Sequence, residues 1–448
     1  MTCVPKAEGV IDDAVLMRKV GRHLIPFIGI GYLIAYIDRQ NVAFAKLQMV
    51  GDLGLSESAY GLGASLFFIG YLIFEIPSNI ILERVGARIW LARIMLSWGA
   101  VSIAMAYTQN AAMFYLLRFL LGACEAGFFP GVLYLATKWF PLKHRGRMMA
   151  SFMIYPVIAS AVVAPVGGML LDLDGLLGLR GWQWVFLVTG APAVIMAAVM
   201  YFFFHDSPHK APFLTDAEKR WLQQSLVDED ARLNKVAHGK LFKTLLDSRV
   251  LLMAIFFMAY PLGAYGLSYW LPTILKEFGF SNSVNGLLNG IPWLLVAVAM
   301  LVIPRMAARY KSETPFIVVP TLFAAICLVL SVYVPDHTAS FVLLCLAAAG
   351  IQGALPIVWT LPSKFLTGPA AAAGLAAINS VGNLGGFIAQ NVVPWIRDIT
   401  GSTTMPMLFL GAALMWAAGM VFAVQASIRR YADDQPRETV PTPELTQQ

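Results

Sequence analysis

Charge is what this 448-residue sequence has least of. Only 13% of it is Asp, Glu, Lys or Arg, while 58% is hydrophobic. A soluble chain carries about a quarter charged residues. Mean hydropathy is +0.68. No soluble core of this size hides so much apolar side chain, because chain length limits the surface that folding can bury. The bilayer is therefore the solvent for most of the chain, and the same numbers exclude the disordered class. Cysteine is scarce too. Cys3, Cys124, Cys327 and Cys345 are scattered without CxxC spacing, which excludes a disulfide framework or thiolate metal site. There is no GxxxxGK[ST] loop and no HExxH or HxH cluster, so neither ATP hydrolysis nor metal chemistry is indicated. No nucleophile–base constellation suggests an enzyme. The Gly-rich run NSVGNLGGF (379–387) lies inside an apolar segment, not between strand and helix, and is no dinucleotide fingerprint. No cofactor is expected. A cleavable signal is also missing. Residues 1–22 mix Lys6, Glu8, Asp12, Asp13, Arg18, Lys19 and Arg22, and no small-residue cleavage site follows the first apolar segment.

What the sequence has is apolar runs of spanning length, for which roughly 20 residues suffice. Twelve are predicted, at 23–46, 60–82, 89–108, 111–137, 147–171, 183–205, 249–274, 284–305, 314–334, 338–362, 371–396 and 404–427. The expected fold is an all-α membrane protein of twelve transmembrane helices. Thr108-Gln109-Asn110 forms a tight turn between the third and fourth. Lys and Arg crowd one set of loops (Arg84, Arg88, Lys138, Lys143, Arg145, Arg147, Arg305, Arg309, Lys311, Lys364), while the other set holds Lys46, Arg180, Lys276 and Arg397. The richer side is expected to be cytoplasmic, with both termini inside and the chain in the inner membrane. The net charge of +6 then reports membrane orientation rather than nucleic acid. One long polar segment, 206–248, divides the spans six and six. Thr215-Asp216-Ala217-Glu218 within it is a capping box that starts a short amphipathic helix. The expected organisation is a tail (1–22), a six-helix bundle (23–205), a central loop (206–248), a second bundle (249–427) and a tail (428–448).

Four charges fall at membrane depth. Asp38 and Arg39 lie in the first span. Arg118 in the fourth is level with them, and Glu125 is seven residues deeper on nearly the same helix face. Each costs about 3 kcal/mol on insertion scales, so such groups face a bundle interior or a wet cavity and are functional candidates by default. The alternative is a static ion-pair cluster. Neighbours on a helix point about 100° apart, so Asp38 and Arg39 cannot face the same point. Glu75 and Arg93 are expected to pair with each other or to snorkel. Tyr71, Tyr265, Trp270, Gln352, Trp359, Asn379, Asn383 and Gln390 are candidate cavity residues, although each alone also suits packing.

The stretches YIDRQNVAFA (36–45), GYLIFEIPSNIILERVGARIWLARI (70–94), RFLLGACEAGFFPGVLYLATKWFPLKHRGR (118–147), GWQWVFLVTGAPA (181–193), DSPHKAPFLTDAEKRWL (206–222), YGLSYWLP (265–272) and NSVGNLGGF (379–387) resemble the major facilitator superfamily. Within it they are closest to the phthalate, tartrate and hydroxyphenylacetate carriers of the anion:cation symporter family. ERVGAR is a variant of the superfamily's loop motif, with Glu83 where Asp is usual and Ala87 in place of a basic residue. The resemblance implies two six-helix bundles and proton-coupled uptake of a small organic carboxylate, aromatic or hydroxylated, by alternating access. Sugar acids are the near alternative, and an efflux antiporter is disfavoured by the two arginines. It further implies Asp38 and Glu125 as proton-coupling residues, and Arg39, Arg118, Tyr71 and Asn383 in the binding site; Tyr265, Trp359 and Asn379 are expected there from residue type and span position. Glu83, Arg84, Gly86, Arg88 and Arg145 would form a cytoplasmic gate. The expected partners are the carboxylate, protons and lipid, with the protein a monomer that binds no nucleic acid.

Overall fold

The first helix begins at Asp13, ten residues before the expected span, because the chain there is already amphipathic. Asp12 caps it by accepting the amide protons of Ala14 and Val15, and Leu16, Met17 and Val20 are buried. Helix α1 then runs unbroken from Asp13 to Asp52. The structure is a computed structural model that describes residues 11–234, 247–366 and 369–434. The ends of both tails and residues 235–246 of the central loop lie outside the described residues.

Helices α2 (Glu57–Val85) and α3 (Ala87–Met105) follow. The polar turn after α3 works as its sequence suggests, with Asn110 accepting the amide proton of Met113 to start α4 (Ala111–Glu125). The fourth span is not continuous as expected. It breaks after Glu125 and resumes as α5 (Phe128–Trp139). Gly127 makes the joint at φ +91, and a Cβ there would meet Ser78 Oγ at 2.2 Å. Pro130, which has no amide proton to donate, sits in the first turn of α5. The fifth span is likewise divided, into α6 (Leu142–Phe152) and α7 (Ile154–Leu171), before α8 (Gly181–Phe203). In the central segment the capping box forms: Glu218 N–H donates to Thr215 Oγ1 and Thr215 N–H to Glu218 Oε2, opening α9 (Asp216–Asn234).

The second half holds α10 (Ser248–Glu277), α11 (Asn282–Tyr310), α12 (Thr314–Ser331), α13 (His337–Gly353) with the single turn α14 (Leu355–Val358), α15 (Pro369–Thr400) and α16 (Thr404–Asp434). Among the described residues, eleven helices or helix pairs are long and apolar enough to cross a bilayer. The remaining expected segment, 371–396, falls in the 32-residue α15.

Within the first half α3 packs on α8, α2 on α4, and α1 on α7 and α8. In the second, α10 packs on α15, α12 on α13 and α16, and α11 on α13. The halves meet through α7 with α11, α2 with α15, and α1 with α10. Small residues set these approaches, as membrane helix packing requires. A Cβ on Gly122 of α4 would stand 1.9 Å from the Phe67 carbonyl oxygen of α2, and one on Gly168 of α7 would stand 2.4 Å from that of Asn282 on α11.

Candidate functional site

Asp38 and Arg39 diverge as the helix geometry requires. Asp38 is fully buried and turns towards α3 and α8. Its Oδ1 accepts hydrogen bonds from Ser102 Oγ and, at 2.9 Å, from Asn41 Nδ2, which also donates to Thr189 Oγ1. Arg39 turns the other way, and its Nε donates to Glu125 Oε1 at 2.6 Å in a pair with side-chain exposures of 13% and 1%. The break after Glu125 places this carboxylate at the last residue of α4.

Arg118 departs from expectation. It is buried on α4, but it makes no ion pair with either acid within 4.0 Å. Its Nη2 donates to the Ala64 carbonyl at 2.9 Å and its guanidinium carbon lies 5.3 Å from the Phe67 ring centroid. Several buried polar atoms in this cluster carry no partner: Asp38 Oδ2, Asn41 Oδ1, Glu125 Oε2, and Nε and Nη1 of Arg118. Burying such an atom unpaired costs about 1–3 kcal/mol, so these atoms have capacity for a proton, a water or a ligand atom.

Arg39 also lines a small cavity between the halves, together with Phe68, Tyr71, Glu75, Ser380 and Asn383. Its guanidinium carbon lies 5.1 Å from the Tyr71 centroid and 5.4 Å from that of Phe67. Tyr265 of α10 closes on Phe68 edge-on at 5.2 Å. Two expected members are elsewhere. Trp359 follows the short turn α14 and packs on Phe257 at 4.6 Å, and Asn379 is half-buried on α15 outside the lining.

Glu75 is the residue that sequence reasoning missed. It does not pair with Arg93, which is exposed and lies over the Trp90 ring at 4.6 Å. Glu75 is buried and faces the other half, where its Oε2 accepts from Ser380 Oγ at 3.0 Å. The available signal was its spacing: it sits one turn after Tyr71, on the same helix face.

The loop motif lies wholly within the first half. Gly86 joins α2 to α3 at φ +96, and Asp206 accepts the Arg88 amide proton at 2.6 Å, capping α3. The Arg88 guanidinium stands 5.6 Å from the Tyr201 ring, while Glu83 and Arg84 are exposed. Arg145 Nε donates to the Phe140 carbonyl at the end of α5.

Lys46, expected in a loop, is instead inside α1 with its side chain 2% exposed. Its Nζ lies 2.6 Å from Glu57 Oε2 and 3.5 Å from the Trp270 ring centroid of α10. Arg397 of α15 approaches the same indole at 4.9 Å. Nearby, the Ser58 amide donates to Asp398, and Asn282 donates to Asp172. Hydrogen bonds between the halves run from this end of the bundle inward to Glu75–Ser380.

A profile described as the Major Facilitator Superfamily matches residues 28–390. The chain belongs to the Major Facilitator Superfamily. It is 41% identical to a quinolone resistance transporter of Acinetobacter baumannii, over 93% of this chain and 96% of the relative. It is also 41% identical to an Agrobacterium vitis protein whose name assigns it to tartrate, over 92% of each. Identity is 34% to the inner membrane transport protein RhmT of Escherichia coli K12, over 93% and 96%. Among solved structures, a bacterial homologue of the human lysosomal transporter Spinster superposes with a TM-score of 0.76 at 15% identity, covering 92% of this chain and 98% of the other. The superfamily's fold of two six-helix bundles is thus shown, as is a multi-pass transporter of the plasma membrane rather than an enzyme. The relatives agree with the anion:cation symporter branch.

Proposed function

We propose that this member of the superfamily takes up a small organic carboxylate together with protons, by alternating access around the Arg39–Glu125 pair. The observation that carries this reading is the buried 2.6 Å bond between them beside a cavity that Arg39 itself lines. A guanidinium suits a carboxylate because its donors match the two oxygens in a fork. A substrate carboxylate that engages Arg39 competes with Glu125 for it. The acid then loses its cation, and an unpaired buried carboxylate is costly, so it takes up a proton. Substrate binding and proton binding thereby favour each other. Asp38 is the second proton-carrying acid, with Oδ2 unpartnered, and Arg118 supplies further positive potential. Tyr71, Tyr265 and Asn383 contribute donors and ring surface.

The domains that rock are the two bundles, 23–205 and 249–427, with the termini inside and the protein a monomer. The Gly86 turn, with Glu83, Arg84, Arg88 and Arg145, braces the cytoplasmic end. The relatives named for tartrate support a carboxylate cargo, and within that class both aromatic and hydroxylated acids fit. A second reading, export of a drug in exchange for protons, is favoured by the relative named for quinolone resistance.

Purified protein in proteoliposomes decides between them. An inside-alkaline gradient should drive accumulation of a carboxylate from a panel that includes tartrate, nicotinate and gluconate. Outward movement of a quinolone against the proton gradient, with no carboxylate accumulation, would establish the second reading.

A further inference from the structure

Three carboxyls, Asp38, Glu75 and Glu125, are buried among the helices with two guanidiniums, those of Arg118 and the 13%-exposed Arg39. The other buried charge among the described residues, Lys46, is paired with Glu57. Arg39 bonds Glu125, and Arg118 offsets the charge of Asp38. An ionised Glu75 would therefore be one negative charge in excess. Its Oε2 accepts from Ser380 Oγ at 3.0 Å, and among the described residues no hydrogen bond reaches Oε1 and no cation lies within 4.0 Å. A buried carboxylate with one hydroxyl donor and no paired cation is costly. A proton removes that cost, as it does for Glu125 when that acid loses Arg39. The cavity that Glu75 lines is otherwise walled by Arg39, Tyr71, Asn383 and apolar side chains such as Leu72 and Leu384. Arg39 is the one charged group among them, and Glu125 holds it.

We infer that Glu75 is a neutral carboxylic acid and donates a hydrogen bond to a second carboxylate of the cargo. The first part needs no ligand; the second rests on the reading of Arg39 as the carboxylate anchor. Glu75 stands four residues after Tyr71 on α2, about 6 Å along the axis, and the Arg39 guanidinium carbon lies 5.1 Å from the Tyr71 ring centroid. A small dicarboxylate anchored on Arg39 and lying along α2 therefore brings its second carboxylate to Glu75, Ser380 and Asn383, which share one cavity lining. The proton sits on Oε1, since Oε2 accepts from Ser380. A carboxylic acid kept neutral by an apolar site is a strong donor to an anion. An ionised Glu75 would repel the incoming group. The neutral acid, the Ser380 hydroxyl and the Asn383 amide instead supply three donors without a further cation. They belong to α2 and α15, so the second carboxylate also bridges the two halves.

Infrared difference spectroscopy of the purified, substrate-free protein at neutral pH tests the protonation alone. The unaltered protein should show a C=O stretch of a protonated carboxyl, shifted in heavy water, that is missing from Glu75→Gln. Spectra that match in that region mean an ionised Glu75 and overturn the inference, whatever the role of Arg39. Titration calorimetry with tartrate, a dicarboxylate, tests the donor. Glu75→Met has similar length and no donor, and should weaken tartrate binding by roughly tenfold or more, the value of a hydrogen bond to a charged group. Glu75→Gln restores an N–H donor and should recover most of that loss. Full affinity in a Glu75→Met protein that is monodisperse on gel filtration overturns the donor role. So does a Glu75→Gln protein that binds no better than Glu75→Met, and so does an unaltered protein that binds no tartrate. Tartrate affinity unchanged in Arg39→Gln would instead refute the anchor; the placement of the second carboxylate would fall with it, and the infrared result on Glu75 would stand.

Discussion

Replacing Glu57 by Gln perturbs the end of the bundle that holds Lys46. The Lys46 ammonium is buried in α1 between Glu57 of α2 and the Trp270 face of α10, so it ties the two halves together at that end. Removing one partner of a buried ion pair costs about 3–5 kcal/mol, chiefly because the remaining charge is left unpaired. Glu57 is 25% exposed, and water replaces part of its contribution, so the lower bound of about 3 kcal/mol applies. The contact with Trp270 and the hydrogen bond to Thr273 survive the substitution. The penalty bears only on the conformation in which Lys46 is buried. A conformation that opens this end and hydrates the ammonium escapes it, so the equilibrium shifts towards that conformation by roughly 150-fold. The readout is labelling of a cysteine introduced at Ala264 of α10, which lines a second cavity between the halves with Gln40, Asn289 and Gln352, in a background lacking the native cysteines. A membrane-impermeant maleimide is added outside intact cells. Labelling should accelerate at least tenfold in Glu57→Gln. An unchanged rate in a variant of normal expression and monodispersity would refute the latch.

Glu125→Gln should abolish net accumulation of carboxylate under a proton gradient while leaving exchange of internal for external substrate measurable; loss of exchange in a folded variant would count against a proton-carrying role. Gly122→Ala forces a Cβ to within 1.9 Å of the Phe67 carbonyl and should cost at least about 1–3 kcal/mol as overpacking. Gly419→Ala, which meets nothing within 4 Å, should be neutral or up to about 1 kcal/mol stabilising, and equal melting temperatures for the two would contradict the α2–α4 contact. Outside the membrane, burial pushes the Glu218 carboxyl up, but its bonds to Lys19 and Thr215 outweigh this and hold it below the usual glutamate value. A lowered folded-state value contributes stability that is present at neutral pH and lost as pH falls through it. Protection of α9 in hydrogen exchange should therefore weaken on acidification below the ordinary glutamate range, and Lys19→Met should reduce that dependence, leaving the part due to Thr215. Identical profiles would show that the Lys19–Glu218 contact does not hold α9 in place.

Span positions were legible because apolar length is set by the bilayer and depends little on partners. The helix breaks were not. The joint after Glu125 depends on Gly127 packed against Ser78 of another helix, and that neighbour is invisible in a hydropathy pattern. Which of Asp38 and Arg39 faces the centre could be posed from the 100° rule, but the answer depended on Ser102 and Thr189, from two other spans. Glu75 and Lys46 were misread for a common reason. Each is close enough to a span end to pass for a snorkelling or loop charge, and only contacts from the opposite half, with Ser380 and Trp270, reveal that they are buried. Trp359 and Asn379 were placed at the cavity on residue type alone; Trp359 follows the short turn α14 and packs on Phe257, and Asn379 lies outside the lining.

The coupling claim is tested most directly by counting protons taken up when a carboxylate binds. Calorimetric titration of the purified protein with a bound carboxylate, in two buffers of different ionisation enthalpy, gives that number. Competition between substrate and Glu125 for Arg39 requires net proton uptake on binding, and its loss in Glu125→Gln. Binding with no proton uptake in the unaltered protein would contradict the account.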